Sequence, residues 1–228
     1  AKDQTYFLWG IDRAVLTRML LPVGGLTKAE TRALASELGL NHVAAKPESQ
    51  EICFVPDGDY ARVLSQRLGA DHPALSRGPI RSTDGEVVGE HDGYARFTVG
   101  QRRRLPGGHA EPMYVVEILP EERAVVIGPR DALLGRGVVA REVNWLVDPA
   151  PIVGARVLVR VRHRAPLVGG DIIRSDGDEI EIALDEPISA ITAGQSLVLY
   201  GEDDRVLGGG FIEAARRGRA QLPLFTVT

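Results

Sequence analysis

One residue among the 228 carries a soft nucleophile, and it is Cys53. It lies in the apolar run Ile52-Cys53-Phe54-Val55, which Pro56-Asp57-Gly58 stops, so the spacing predicts a strand-like stub ending in a turn. Alternation puts Ile52 and Phe54 on one face and Cys53 with Val55 on the other. Two readings stand at this point. Free cysteines are among the most buried residue types, which makes Cys53 a small core hydrophobe. The other reading is a thiol, or a persulfide, presented at a loop edge. Lys46 would lower its pKa and Glu48 and Glu51 would raise it, while the polar lead Pro47-Glu48-Ser49-Gln50-Glu51 favours exposure.

The second feature is a run of arginines at even positions, Arg156, Arg160, Arg162 and Arg164, alternating with Val157, Val159 and Val161. On one strand these cations would share a face, with next-but-one neighbours about 6.5–7 Å apart. Like charges that close repel, and a phosphate backbone would relieve the repulsion. Glu179 and Glu181 of the acidic run 178–182 would relieve it equally well by pairing across a sheet. A further basic group, Gly100-Gln101-Arg102-Arg103-Arg104, follows Arg96 and suits either an RNA backbone or a solvated turn. The end, Arg216-Arg217-Gly218-Arg219, reads as a surface tail that needs no ligand. The five histidines, His42, His72, His91, His109 and His163, fall at no metal-ligand spacing, so no metal site is expected.

Composition narrows the classes. Apolar residues at 44% and charged residues at 25% describe a water-soluble globular chain, not a disordered, collagenous or coiled-coil one. No apolar run is long enough for a membrane helix. A lone cysteine excludes an internal disulfide and a cysteine-based zinc site, and points to a reducing cytoplasmic compartment. With 27 basic and 31 acidic residues, bulk charge will not coat a nucleic acid, so any anion site is local. The chain opens on Ala1 without a leader-like segment, and is expected to be a truncated or processed product.

The elements follow from periodicity. Thr27 and Glu30 have capping-box spacing, Ala33, Leu34 and Leu38 form an apolar stripe, and Gly39 suits a left-handed helix end, so a helix is predicted over 28–38. Tyr6 to Leu20 predicts another amphipathic helix, with Leu8, Ile11, Val15 and Leu16 inward and Pro22 as its stop. From about residue 76 the period becomes two. Runs at 114–118, 124–127, 138–145, 156–161, 179–184 and 196–200 are separated by turn residues, as in small barrels or sandwiches. Gly208-Gly209-Gly210 predicts close backbone packing, and 130–137 is the expected domain boundary. A piece of about 58 residues with two helices is too small to stand alone, so a covering partner is expected.

Six separated strings then converge: Lys2-Asp3-Gln4-Thr5-Tyr6-Phe7-Leu8, Leu21-Pro22-Val23-Gly24, Ser49-Gln50-Glu51-Ile52-Cys53-Phe54, Thr98-Val99-Gly100-Gln101-Arg102, Ala193-Gly194-Gln195-Ser196 and Leu207-Gly208-Gly209-Gly210-Phe211-Ile212. In order and spacing they resemble the bacterial tRNA-specific 2-thiouridylase (MnmA) family, from residue 1 to about 213. The resemblance implies a mainly β chain with a short α-rich N-terminal piece. Residues 1–58 would be the remnant of a catalytic α/β adenine-nucleotide α-hydrolase-like domain, 59–135 a central β-domain, 136–213 a tRNA-binding C-terminal β-barrel, and 214–228 a tail. It implies an ATP-dependent sulfurtransferase that replaces O2 of the wobble uridine of tRNA with sulfur. Cys53 matches the persulfide-bearing cysteine. Lys2, Asp3 and Gln4, together with Arg162, His163 and Gln195, match tRNA contacts, although the family commonly has Tyr where His163 stands. Arg102, Arg103, Arg160 and Arg164 become candidates for the tRNA backbone.

The family's S-G-G-x-D-S pyrophosphate loop and its other catalytic cysteine do not occur in these 228 residues. ATP is therefore expected to bind a missing N-terminal region, and the chain alone is expected to be inactive. Expected partners are tRNA, a sulfur donor or relay protein, and that missing domain, with no membrane. Two other readings compete: a non-catalytic RNA-binding pair of β-barrels of the translation-factor type, with Cys53 in its core, and a sulfur-relay protein that passes persulfide sulfur without adenylation.

Overall fold

A computed structural model describes residues 4–45, 60–69, 71–148 and 150–217. The first stretch is helical but broken. A 3₁₀ turn, Thr5–Phe7, precedes α1 (Arg13–Leu16), α2 (Lys28–Glu37) and α3 (Asn41–Ala44), and α4 (Tyr60–Leu68) follows after the gap. The predicted helix over 28–38 forms as expected. The Thr27 hydroxyl accepts from the Glu30 N–H, and the Glu30 carboxylate accepts from the Thr27 N–H at 2.6 Å. Gly39 takes a φ of +74°, the left-handed geometry that ends a helix.

The predicted helix from Tyr6 to Leu20 does not form. Only Thr5–Phe7 and Arg13–Leu16 are helical, and Val15, expected inward, is exposed. Asp12 restarts the chain as a cap, its carboxylate accepting from the Ala14 N–H at 2.8 Å. Before it, Tyr6 and Trp9 answer to a distant partner, not to a helical period.

Two β-modules follow. In the first, β1 (Arg77–Ser82), β2 (Val87–Asp92), β3 (Tyr114–Leu119) and β4 (Ala124–Gly128) form a sheet in the order β2-β1-β4-β3. Only the β1–β4 pair is parallel. Ile80, Val115, Val125 and Ile127 form its core. In the second, β5 (Leu134–Trp145), β6 (Arg156–Arg160), β7 (Val168–Asp176), β8 (Glu179–Ser189), β9 (Ser196–Tyr200) and β10 (Val206–Arg216) close a six-stranded barrel. Alternation fills its interior. Val157, Val159, Ile180, Ile182, Leu197 and Leu199 are essentially sealed from solvent, and closure leaves no open sheet edge.

The expected boundary at 130–137 is packed. Residues Arg130–Leu133 form a 3₁₀ turn whose Ala132 and Leu133 are buried with Val116 of β3 and Ala190 beyond β8. Arg216 and Arg217 are structured, against the expectation of a loose tail, while Gly218 and Arg219 lie outside the described residues. Arg216 is the last residue of β10, paired with Gly137 and bonded to Glu181, because the β5 partner strand runs that far. Arg217 is nearly buried, donating to the Val116 carbonyl at 3.0 Å and lying 3.5 Å from Glu117. No described helix is long and apolar enough to cross a membrane.

His91 locks the first module. Its Nε2 meets the Arg123 carbonyl at 3.1 Å and its Nδ1 accepts from the Gly93 N–H at 3.0 Å, so both nitrogens are engaged only in the neutral ring. Burial holds its pKa below the ordinary histidine value. The folded ring therefore takes up its proton at lower pH than the unfolded ring. Stability present above about pH 6.5 is lost as pH falls through the depressed folded value. Unfolding free energy measured against pH should decline from about 6.5 downward, and His91→Gln should flatten that decline; an identical profile for the variant would contradict this role.

Candidate nucleic-acid interface

The site begins with an excess of apolar residues on β9. Leu197 and Leu199 belong to the barrel interior, so Val198 and Tyr200 face outward. Both are nevertheless buried, because Tyr6 and Trp9 lie on them. The Tyr6 hydroxyl donates to the Ser196 carbonyl at 2.8 Å. Trp9 stands edge-on to Phe211 with ring centroids 5.1 Å apart. The Asn144 amide donates to the carbonyls of Trp9 and Ile11 at 2.6 and 2.9 Å.

Gly209 makes room for this contact. A Cβ there would stand 2.5 Å from the Leu197 carbonyl oxygen and 2.8 Å from Trp9 Cγ, so only glycine admits both neighbours. The expected close packing at Gly208-Gly209-Gly210 is thus present, and its partner is an aromatic ring. Truncating a buried ring of this size costs about 3–5 kcal/mol. A single hydrogen bond is worth about 1 kcal/mol. The rings hold segment 4–11 on the barrel, and the hydrogen bonds set its register.

Docking brings together residues from three distant stretches. Gln4 is exposed and its carbonyl accepts from the Phe7 N–H at 3.1 Å. The Phe7 and Tyr6 rings lie 4.8 and 5.7 Å from that of His163. Exposed Gln195 precedes Ser196, the acceptor of the Tyr6 bond. Arg160 stacks over Tyr200 at 5.2 Å. Arg162 is exposed and donates to the Ser189 carbonyl at 2.8 Å. Burial pushes the Tyr6 phenol above its usual range while the Arg160 and Arg162 cations pull it the other way, so Tyr6 stays a neutral donor. Gln4, Arg160, Arg162, His163 and Gln195 therefore surround one buried tyrosine.

The four even-numbered arginines do not share one strand face. Strand β6 ends at Arg160, and the chain then turns, with the Ala165 N–H bonded to the Arg162 carbonyl at 2.9 Å. Arg164 lines a groove of about 460 Å³ with Arg162, Pro166, Glu186, Ile188 and Ser189. The acidic strand does pair with arginines, but with different ones. Glu179 meets Arg141 and Arg174, and Glu181 meets Arg174 and Arg216. Arg156 is held by Asp171 and Asp185, and its hydrogen bond keeps the Asp185 carboxyl below the ordinary carboxylate range. Arg102 and Arg103 are exposed on a separate loop, which the Gln101 side chain braces by accepting from the Thr98 N–H and donating to the Arg103 carbonyl. Cys53 and its stub, like Lys2 and Asp3, lie outside the described residues. Among the described residues no cluster of His, Asp or Glu forms a metal site.

Sequence reasoning missed Tyr6, Phe7, Trp9 and Asn144. One signal was present: Leu197-Val198-Leu199-Tyr200 is apolar without alternation, which marks a strand covered on both faces. The stripe on α2 has the opposite fate. Leu34 and Leu38 are exposed, as are Leu20, Leu21, Val23 and Val43 around it.

Three family models match the chain in succession: a tRNA methyl transferase HUP domain over residues 1–57, a tRNA methyl transferase PRC-barrel domain over 66–129, and an aminomethyltransferase beta-barrel domain over 135–212. Among curated relatives, a tRNA-specific 2-thiouridylase MnmA of Solibacter usitatus is 46% identical over 219 residues, covering 93% of this chain and 58% of the relative. The protein of that name from Salinibacter ruber is 44% identical over 212 residues, covering 92% and 55%. The chain thus spans little more than half the length of these relatives.

The clamp on segment 4–11 predicts a measurable cost. Asn144→Ala strips the donor from two carbonyls and should lower the unfolding free energy in urea by about 1–3 kcal/mol. A loss well under 0.5 kcal/mol would mean that the clamp is idle.

Proposed function

Since the chain belongs to the tRNA-specific 2-thiouridylase family, we propose that its barrel and the segment docked on it hold a transfer RNA while Cys53 delivers sulfur to the wobble uridine. The observation that carries this reading is the gathering of Gln4, Arg162, His163 and Gln195 around Tyr6. These were the positions matched to tRNA contacts from separate strings, and they meet on one side of the barrel. Amide side chains, a guanidinium and aromatic rings on a common surface supply phosphate contact and hydrogen bonding to RNA. Arg160 and Arg164 flank that surface along the backbone path, and the exposed loop of Arg102 and Arg103 adds a second basic contact.

The chemistry asks for more than these residues hold. In the proposed reaction ATP activates the uracil O2 by adenylation. The outer sulfur of a Cys53 persulfide bonds to C2 as AMP leaves. A second thiol then attacks the Cys53 sulfur, the S–S bond breaks with its electron pair going to the sulfur on C2, and a disulfide to Cys53 remains. Cys53 is the only thiol among the 228 residues. An ATP-binding region and the resolving thiol are therefore assigned to a further domain, and the 228 residues alone are inactive in thiolation. The exposed apolar side chains Leu20, Leu21, Leu34 and Leu38 support this, as a surface awaiting a cover. The enzyme works in the cytoplasm, and a donor or relay protein loads the persulfide.

Two outcomes test the reading. In the enzyme complete with its ATP-binding region, Cys53→Ser should abolish formation of 2-thiouridine and leave tRNA affinity nearly unchanged; equal activity would remove Cys53 from the mechanism. With the 228-residue chain, Arg162→Ala should reduce the salt dependence of tRNA binding by roughly one unit of slope or less, and an unaltered slope would mean that Arg162 touches no phosphate.

A further inference from the structure

Phe7 sits where a large apolar ring gains little from the protein itself. Tyr6 and Trp9, on either side of it, are buried against the barrel, whereas Phe7 is 59% exposed. A lone exposed ring is ordinary. This ring, however, is braced. Tyr6 meets it edge-on at 5.3 Å and 88°, and His163 leans against it at 4.8 Å and 39°. Its backbone is closed into a turn by the bond to the Gln4 carbonyl. The result is a pre-set aromatic surface that pays little ordering entropy on contact. Exposed Gln4 closes that turn, exposed Arg162 precedes His163 in the chain, and exposed Gln195 precedes Ser196, to which the neighbouring Tyr6 is bonded. A protein partner's apolar anchor would meet a charged and polar rim with no apolar ring around it. A nucleobase brings a flat π-face, polar edges and a phosphate, and each has a counterpart here.

We propose that Phe7 and His163 form a stacking platform for an unpaired RNA base, with Arg162 meeting the neighbouring phosphate. The proposal rests on the reading that this side of the barrel binds tRNA, and adds to it a residue and a mode of contact. Phenylalanine has no hydrogen-bonding group, so the platform contributes affinity without reading which base it holds. Bases inside a duplex are already stacked on both faces. The platform therefore selects a base from a single-stranded loop.

The test uses the 228-residue chain and unmodified transfer RNAs carrying 2-aminopurine at one unpaired loop position at a time. Wild type is expected to bind and to quench the fluorophore at one position. Phe7→Ala should bind about 5- to 150-fold more weakly, with that quench lost and the salt slope unchanged. Phe7→Trp should restore both affinity and quench. Binding of Phe7→Ala equal to that of wild type would overturn the platform alone. Equal losses in the Ala and Trp variants would also overturn it, by making Phe7 a packing residue. Equal weakening on a fully double-stranded RNA would do the same. Failure of the wild-type chain to bind any transfer RNA would instead remove the tRNA reading beneath it, and the platform with it.

Discussion

Burial of Tyr6 and Trp9 on the outer face of β9 is the contact on which the candidate site depends. Without it Val198 and Tyr200 would form an exposed apolar stripe on the barrel, and Gln4 and Phe7 would have no fixed place. Two buried rings outweigh the few hydrogen bonds that accompany them, each bond worth about 1 kcal/mol. The direction of causation follows. Barrel closure creates a rigid wall, the rings adhere to it, and the polar residues between and beside the rings acquire positions that a short irregular segment could not give them. Gly209 is the enabling residue, because any side chain there would occupy the space of Trp9.

The same wall carries charge in a selective way. On the side formed by β5, β7, β8 and β10, Arg141, Arg174 and Arg216 are matched by Glu179, Glu181 and Glu213. Near Tyr6 the cations meet π-faces and carbonyl oxygens, as Arg160 does over Tyr200 and Arg162 at Ser189. A guanidinium on a carbonyl keeps its full charge, whereas one on a carboxylate is neutralised locally. Net charge of -4 is therefore compatible with a local basic surface, since Glu179, Glu181 and Glu213 are engaged by arginines of the β5, β7 and β10 side. The two β-modules are tied by Arg217 and by the Leu133–Ala190 contact, which relates the Arg102 loop to that surface.

What was legible in the sequence was local. The capping box of Thr27 and Glu30 acts within one turn, and β5, β6, β8 and β9 coincide with short β-type runs bounded by turn residues, so these were read correctly, whereas β7 and β10 were not among the predicted runs. The stretch from Tyr6 to Leu20 was misread because Tyr6 and Trp9 face a strand nearly two hundred positions away while Val15 and Leu20 are exposed, so the helix-like spacing of its apolar residues marks no common buried face. Arg162 and Arg164 were misplaced for a related reason. Val161 stays buried, so the alternating pattern runs one residue past the strand into a turn. The site residues Gln4, Arg162, His163 and Gln195 were reached through family resemblance, and their proximity was invisible to any local pattern. Tyr6 and Trp9, which create that proximity, carried only the indirect sign of an unalternating β9.

The most direct measurement is hydrogen–deuterium exchange of this chain with and without bound transfer RNA. If the docked segment and the barrel make one RNA surface, residues 4–9, 160–164 and 192–197 gain protection together and at the same RNA concentration. Protection confined to the loop at 102–104, or appearing in only one of the three stretches, would contradict a surface assembled around Tyr6.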